Sequence, residues 1–100
     1  MPRLAKAAPA LGPDETLILR DQGGYRAHPG AGWKVVECLL TDKRLILWQL
    51  RKIVLEVPLA SISDLRTGTF YYVLRKRPAL GVWFHPAGAS RPRVVWIIVN

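Results

Sequence analysis

A chain of 100 residues with half of them apolar has room for one domain with its own core, which excludes a disordered tail. Its net charge of +8 comes from fifteen basic residues, ten of them Arg, against seven acidic ones. That balance favours phosphate, on nucleic acid or on an anionic membrane, and it also serves plain solubility.

Residues 1–13 read as a flexible lead-in, because Pro2, Pro9 and Pro13 block regular pairing and the apolar residues never form a sustained signal-like run. Residues 16–20 are the first short β-prone run. A Gly-rich loop with Gly23, Gly24, Pro29, Gly30 and Gly32 follows, then a second run over 33–40. Thr41-Asp42-Lys43 is a tight turn into a third run, 44–49, and Leu50-Arg51-Lys52 reverses the chain again. In 53–57, Ile53, Leu55 and Val57 alternate with Val54 and Glu56, the period-2 pattern of a half-buried strand. Pro58 ends that strand, since it has no N–H for a ladder. Residues 59–64 form a short helical or irregular turn. A fifth run over 65–74 leads to a basic tip, Arg75-Lys76-Arg77-Pro78, and a sixth over 79–85. After a loop at 86–92, the run 93–100 closes the chain with Val, Val, Trp, Ile, Ile, Val, a composition suited to a sheet. Short strands joined by hairpin-length turns predict an antiparallel barrel or sandwich. No run nears the roughly 20 apolar residues of a membrane helix, so the expected setting is soluble and cytoplasmic, or peripheral to a membrane.

Three pieces of sequence carry a resemblance. The stretch Cys38-Leu39-Leu40-Thr41-Asp42-Lys43-Arg44-Leu45-Ile46-Leu47 resembles a hairpin of GRAM and bacterial PH-like domains, a hydrophobic strand, then Thr-Asn, then Arg-Leu-Ile-Phe. Val57-Pro58-Leu59-Ala60-Ser61-Ile62 is similar to that family's Ile-Pro-Leu-x-x-Ile step, and Pro13-Asp14-Glu15 before Thr16-Leu17-Ile18 resembles its lead into the first strand. The likeness spans residues 11–74. It implies a mainly β, PH-like, partly open antiparallel barrel of about seven strands over residues 14–100, with the family's terminal helix absent or truncated. In this frame Arg44 stands at a strand start with its guanidinium offered to carbonyls or a carboxylate, and Leu59 and Ile62 plug the barrel. Val35-Val36, Leu39-Leu40 and 94–99 are apolar on both faces, and such strands need cover on both. A homo-oligomer, a dimer burying the uncapped sheet, is the expectation.

The residues of an enzyme site are not assembled in the sequence. His28 and His85 each adjoin a proline with no second ligand at a useful spacing, so no metal is expected. Ser61, Ser63 and Ser90 lack a nucleophile context, and the glycines of the first loop are not followed by Gly-Lys-Ser/Thr. Cys38 has no adjacent base and reads as an inert core thiol. The expectation is a non-enzymatic binding or scaffold module with no cofactor.

Two reasons single out binding residues. Basic side chains concentrate near the predicted turns, and in lipid-binding PH domains the first loop carries the phosphate contacts. By that resemblance Arg20, Arg26 and Lys34 are candidates for an anionic ligand, joined by the tip Arg75, Lys76 and Arg77. The partner is then an anionic lipid surface or a docked protein. The alternative is a nucleic-acid-binding small β-barrel, with Phe70, Tyr71 and Tyr72 near the basic tip available for base stacking. Trp83 shares a face with Gly81 and His85, opposite Leu80, Val82 and Phe84, so an inward Leu80-Val82-Phe84 row turns Trp83 outward. Trp83 and Trp96 are therefore the candidates for a subunit or partner interface.

Overall fold

The computed structural model describes residues 9–27, 32–72 and 74–99. Residues 1–8 of the lead-in, residues 28–31 with His28, Pro29 and Gly30, residue 73, Asn100 and the side chains of Tyr72 and Val99 lie outside the described residues. The strands are β1 (Leu17–Arg26), β2 (Lys34–Thr41), β3 (Arg44–Gln49), β4 (Lys52–Pro58), β5 (Ile62–Tyr72), β6 (Arg75–Phe84) and β7 (Arg93–Val99). A single 3-10 turn, Leu59–Ser61, connects β4 to β5, and the described residues contain no α-helix. All pairings are antiparallel in one sheet of order β4-β3-β2-β1-β7-β6-β5.

That order requires the sheet to curl. Val36, Cys38, Leu47 and Val57 of β2–β4 share one buried cluster with Val82, Phe84, Val95 and Ile97 of β6 and β7. In a flat sheet four strands would separate β4 from β6, so the sheet wraps into an open half-barrel with this cluster inside. Full burial of a side chain such as Leu47 or Val57 contributes roughly 1.5–3 kcal/mol. The two edge strands, β4 and β5, are consecutive in the chain. The 3-10 turn that joins them is tied to both halves, by Leu59 N–H to the Lys43 carbonyl at 2.9 Å and by His85 N–H to the Ser61 carbonyl at 3.0 Å.

Several boundaries differ from the sequence reading. β1 continues through Gly23 and Gly24 to Arg26, so these glycines are buried strand and not loop. Both have ladder partners on each side, Val36 and Val35 in β2 and Val99 and Ile98 in β7. Two-sided pairing outweighs glycine's poor strand propensity at this point. β5 starts at Ile62, and Arg75, Lys76 and Arg77 form the first residues of β6 instead of a tip. Tyr72 pairs with Arg75, and the turn lies between them. Pro78 is tolerated within β6 because pairing with β7 begins only at Leu80, leaving Pro78 with β5 alone beside it. In the β3–β4 ladder the register shifts between Leu47 and Trp48, leaving Val54 of β4 without a partner. Leu55 and Val57 keep the expected inward face, but Ile53 sits opposite Trp48 and is 41% exposed.

The segment before β1 packs on the outer side of β2 and β3. Pro9 is buried. Arg44 donates from Nη2 to the Ala10 carbonyl at 2.9 Å, from Nε to Glu15 at 2.7 Å and from Nη1 to Glu56 at 2.7 Å. Thr41, fully buried, donates to Glu15 at 2.7 Å and accepts the amides of Lys43 and Arg44 at 3.1 and 3.0 Å, which is what fixes the turn after β2. Asp42 caps the other side, accepting the Thr16 amide at 2.9 Å. Leu39 and Ile46, opposite each other on this outer side, are 1% and 0% exposed. The second apolar face of β2 is thus covered there within one chain, while Val35 remains 60% exposed.

Two outcomes follow from this geometry. Leu50 and Arg51 form the two-residue turn between paired Gln49 and Lys52, with φ of 50° and 65°, a type I′ shape that suits Asn-Gly. Replacing Leu50→Asn together with Arg51→Gly should raise stability by about 1–2 kcal/mol in urea denaturation. A decrease would contradict that turn. The Arg44 and Thr41 bonds lower the Glu15 carboxyl from its ordinary 4.5 to about 2. A lowered folded-state value stabilises above the unfolded one and is lost as pH falls, so the wild type should weaken between pH 4.5 and about 2. Glu15→Gln should remove that part of the acid transition, as read by thermal melts across the range.

Candidate functional site

The alternation of β6 and β7 sends Val82, Phe84, Val95 and Ile97 into the core and leaves Trp83 and Trp96 on the outer face. Gly81 lies opposite Trp96 in the ladder. A Cβ on Gly81 would come within 2.8 Å of Trp96 and 2.7 Å of Trp83, and one on Gly68 within 3.1 Å of Trp96. The two glycines are therefore a floor on which the indoles lie, the arrangement by which aromatic side chains shield glycine backbone in sheets.

Two further rings extend this pair into a row. Trp83 and Trp96 meet edge to face at 5.5 Å, Trp96 and Phe70 at 4.9 Å, and Phe70 and Trp33 at 5.5 Å. All four side chains are half-buried. Arg66 places its guanidinium 4.9 Å from the Trp83 ring centre, and Arg26 lies 6.0 Å from that of Phe70. Arg77 stands opposite Phe70 and Arg75 two residues further along the same face.

The sequence candidates divide accordingly. Arg26, Arg75, Arg77, Trp83 and Trp96, chosen for two separate reasons, come together on this face. Arg20 faces outward elsewhere, over β2, where Glu37 holds it through Nε at 2.6 Å and Nη2 at 3.1 Å. Lys34 is opposite Tyr25, which packs on the core, and Lys76 is opposite Tyr71, with Nζ 5.8 Å from its ring. Both lysines belong to the inner face. Phe70 and Tyr71 likewise point to opposite sides, so adjacent aromatics in β5 do not form one platform.

Trp33, Arg66 and the glycine floor were not singled out by the sequence. A signal for part of this was present: Gly68-Thr69-Phe70 and Gly81-Val82-Trp83 both place a glycine two residues before a ring, on the same strand face. Charge also segregates. Six of the seven acidic residues precede residue 62, and Asp64, the remaining one, is bound to Arg66 at 2.8 Å. The β5–β7 half is consequently basic.

A second surface is the mouth of the half-barrel. Leu19, Leu40, Leu45, Leu65 and Leu80 surround a cleft of about 270 Å³ without polar lining, and Leu59 and Ile62 reach into it as expected of plugs. Cys38 lies at its base, with its thiol pushed up to about 11 by burial and, secondarily, by Asp21. Among the described residues no three His, Cys, Asp or Glu side chains cluster as metal ligands, and no helix is long and apolar enough to cross a membrane.

No family model matches the chain, and no curated protein matches it in sequence.

The glycine floor gives a prediction of unusual sign. Ala in place of a strand Gly ordinarily stabilises, by roughly 0.5–1 kcal/mol. Gly81→Ala should instead destabilise by about 1–3 kcal/mol through overpacking and alter the near-ultraviolet circular dichroism of the indoles. A stabilised variant with an unchanged spectrum would mean that the rings do not rest on Gly81.

Proposed function

We propose that this protein is a non-enzymatic binding module of the GRAM, PH-like kind that docks an anionic partner on the outer face of β5–β7. The observation that carries the reading is the convergence of Arg26, Arg66, Arg75 and Arg77 around a row of four rings, each touching the next. Sheet surfaces that only need solubility scatter their charges along edges. Here Arg66, Arg75 and Arg77 gather about an aromatic row in the half of the chain that has one acidic residue, and Arg26 joins them from β1. Aromatic and Arg side chains are also the types enriched where partners bind, since both offer large contact area with directional polar groups. The hairpin and Pro-Leu step similar to GRAM domains support a binding scaffold in the same direction.

The test separates this face from net charge. Retention on immobilised heparin and pelleting with phosphatidylserine vesicles are compared at about 50 mM salt, where phosphate contacts are strongest. The triple variant Arg66→Ala, Arg75→Ala, Arg77→Ala should lose most binding. A second triple variant, Lys43→Ala, Arg51→Ala, Lys52→Ala, removes equal charge elsewhere and should retain it. Equal losses in both would leave only bulk charge and defeat the proposal.

A further inference from the structure

We propose that the anionic partner is a single-stranded nucleic acid laid across β5–β7, with its bases on the ring row and its phosphates on the flanking arginines. The inference rests on the reading above and adds the class of ligand. A polyanion alone needs cations; it gives no use for rings. In this face the two are interleaved: Arg26 beside Phe70, Arg66 over Trp83, and Arg77 opposite Phe70. Unpaired bases stack on aromatic rings and on guanidinium planes, and the charges follow the backbone. Successive rings about 5 Å apart give space for about two or three bases, as on other sheet platforms that read single strands.

The geometry also selects against the other anionic partners. A duplex hides its base faces in the stack, and its major groove takes a helix or a two-stranded ribbon and not a broad sheet face. A bilayer is entered by protruding apolar groups. Three of the rings, Phe70, Trp83 and Trp96, are half-buried over Gly68 and Gly81, and the most exposed apolar residue of this hairpin, Leu74, 98% exposed, lies at its turn outside the row. The exposed guanidinium of Arg66 is tied to Asp64 on one side only, at 2.8 Å, and spans from that carboxylate to the Trp83 ring. A base arriving at Trp83 stacks against or displaces it, while a phosphate takes over its charge.

The experiment titrates the full chain with oligo(dT), oligo(rU), a duplex of mixed sequence, heparin and phosphatidylserine vesicles at about 50 mM salt, following tryptophan emission and anisotropy. Single strands should quench the emission, and a Trp48→Phe variant, which removes the indole outside the face, should keep the quenching. Phe70→Leu should weaken single-strand binding about 10-fold or more and heparin binding far less. Because Phe70→Leu could also loosen the fold, Arg66→Gln, a change at an exposed site, is the second variant and should weaken single-strand binding in a chain whose thermal melt is unchanged. Single-strand binding without quenching and indifferent to Phe70→Leu, preference for the duplex, or binding to vesicles alone would overturn the inference while leaving an anionic partner standing. If no polyanion or vesicle binds, both fall together.

Discussion

Everything in this fold depends on β1 being shared. Leu17 to Tyr25 pair with β2, with a shift after Leu17, and its last four residues, Gly23 to Arg26, also pair with β7. That double ladder joins a four-stranded half, β4-β3-β2-β1, to a three-stranded half, β7-β6-β5. Gly23 and Gly24 sit where the two halves meet, and the absence of side chains there permits the strong local bend that a curled sheet needs. Without this junction the inner faces of the halves would be two small apolar patches. With it they close on one core from Val36 to Ile97.

The curl sorts chemistry between the halves as well as packing. In the first half, carboxylates are consumed in structure: Glu37 holds Arg20, and Glu15 and Glu56 hold Arg44. Glu15 is the more consequential partner, since its side chain is only 5% exposed and it also accepts from buried Thr41. A carboxylate in that position is stabilised by several donors at once, and it fastens the N-terminal segment to the turn after β2. No buried polar side-chain atom among the described residues is left without a hydrogen bond. In the second half, one carboxylate faces the arginines, and their charge is left to act outward.

The outer face of β5–β7 carries a secondary packing layer, and under the proposed reading that layer is the contact surface. Gly68 and Gly81 remove the side chains that would hold the indoles off the sheet. The rings then touch one another in edge-to-face and tilted geometries, which aromatic quadrupoles favour. Half-burial keeps them fixed in place, so binding there would cost little side-chain ordering.

The sequence by itself determined the strand number, the two early hairpins, the stop at Pro58 and the structural duty of Arg44, because these rest on local chemistry: alternation, turn residues and a missing donor. It also determined that Trp83 faces away from Val82 and Phe84, which period 2 alone requires. It misplaced Gly23-Gly24 and Arg75-Lys76-Arg77 as loop and tip, since glycine and charge weigh against strands locally while ladder partners distant in sequence decide the matter. Ile53 was placed on one face with Leu55 and Val57, because a bulge cannot be seen in a pattern of one strand. Only tertiary structure decided that Arg26, Arg66 and Arg77 meet Trp33, Phe70, Trp83 and Trp96, because those residues come from four strands and one loop whose adjacency is set by β1 pairing with β7, a contact between the two ends of the chain.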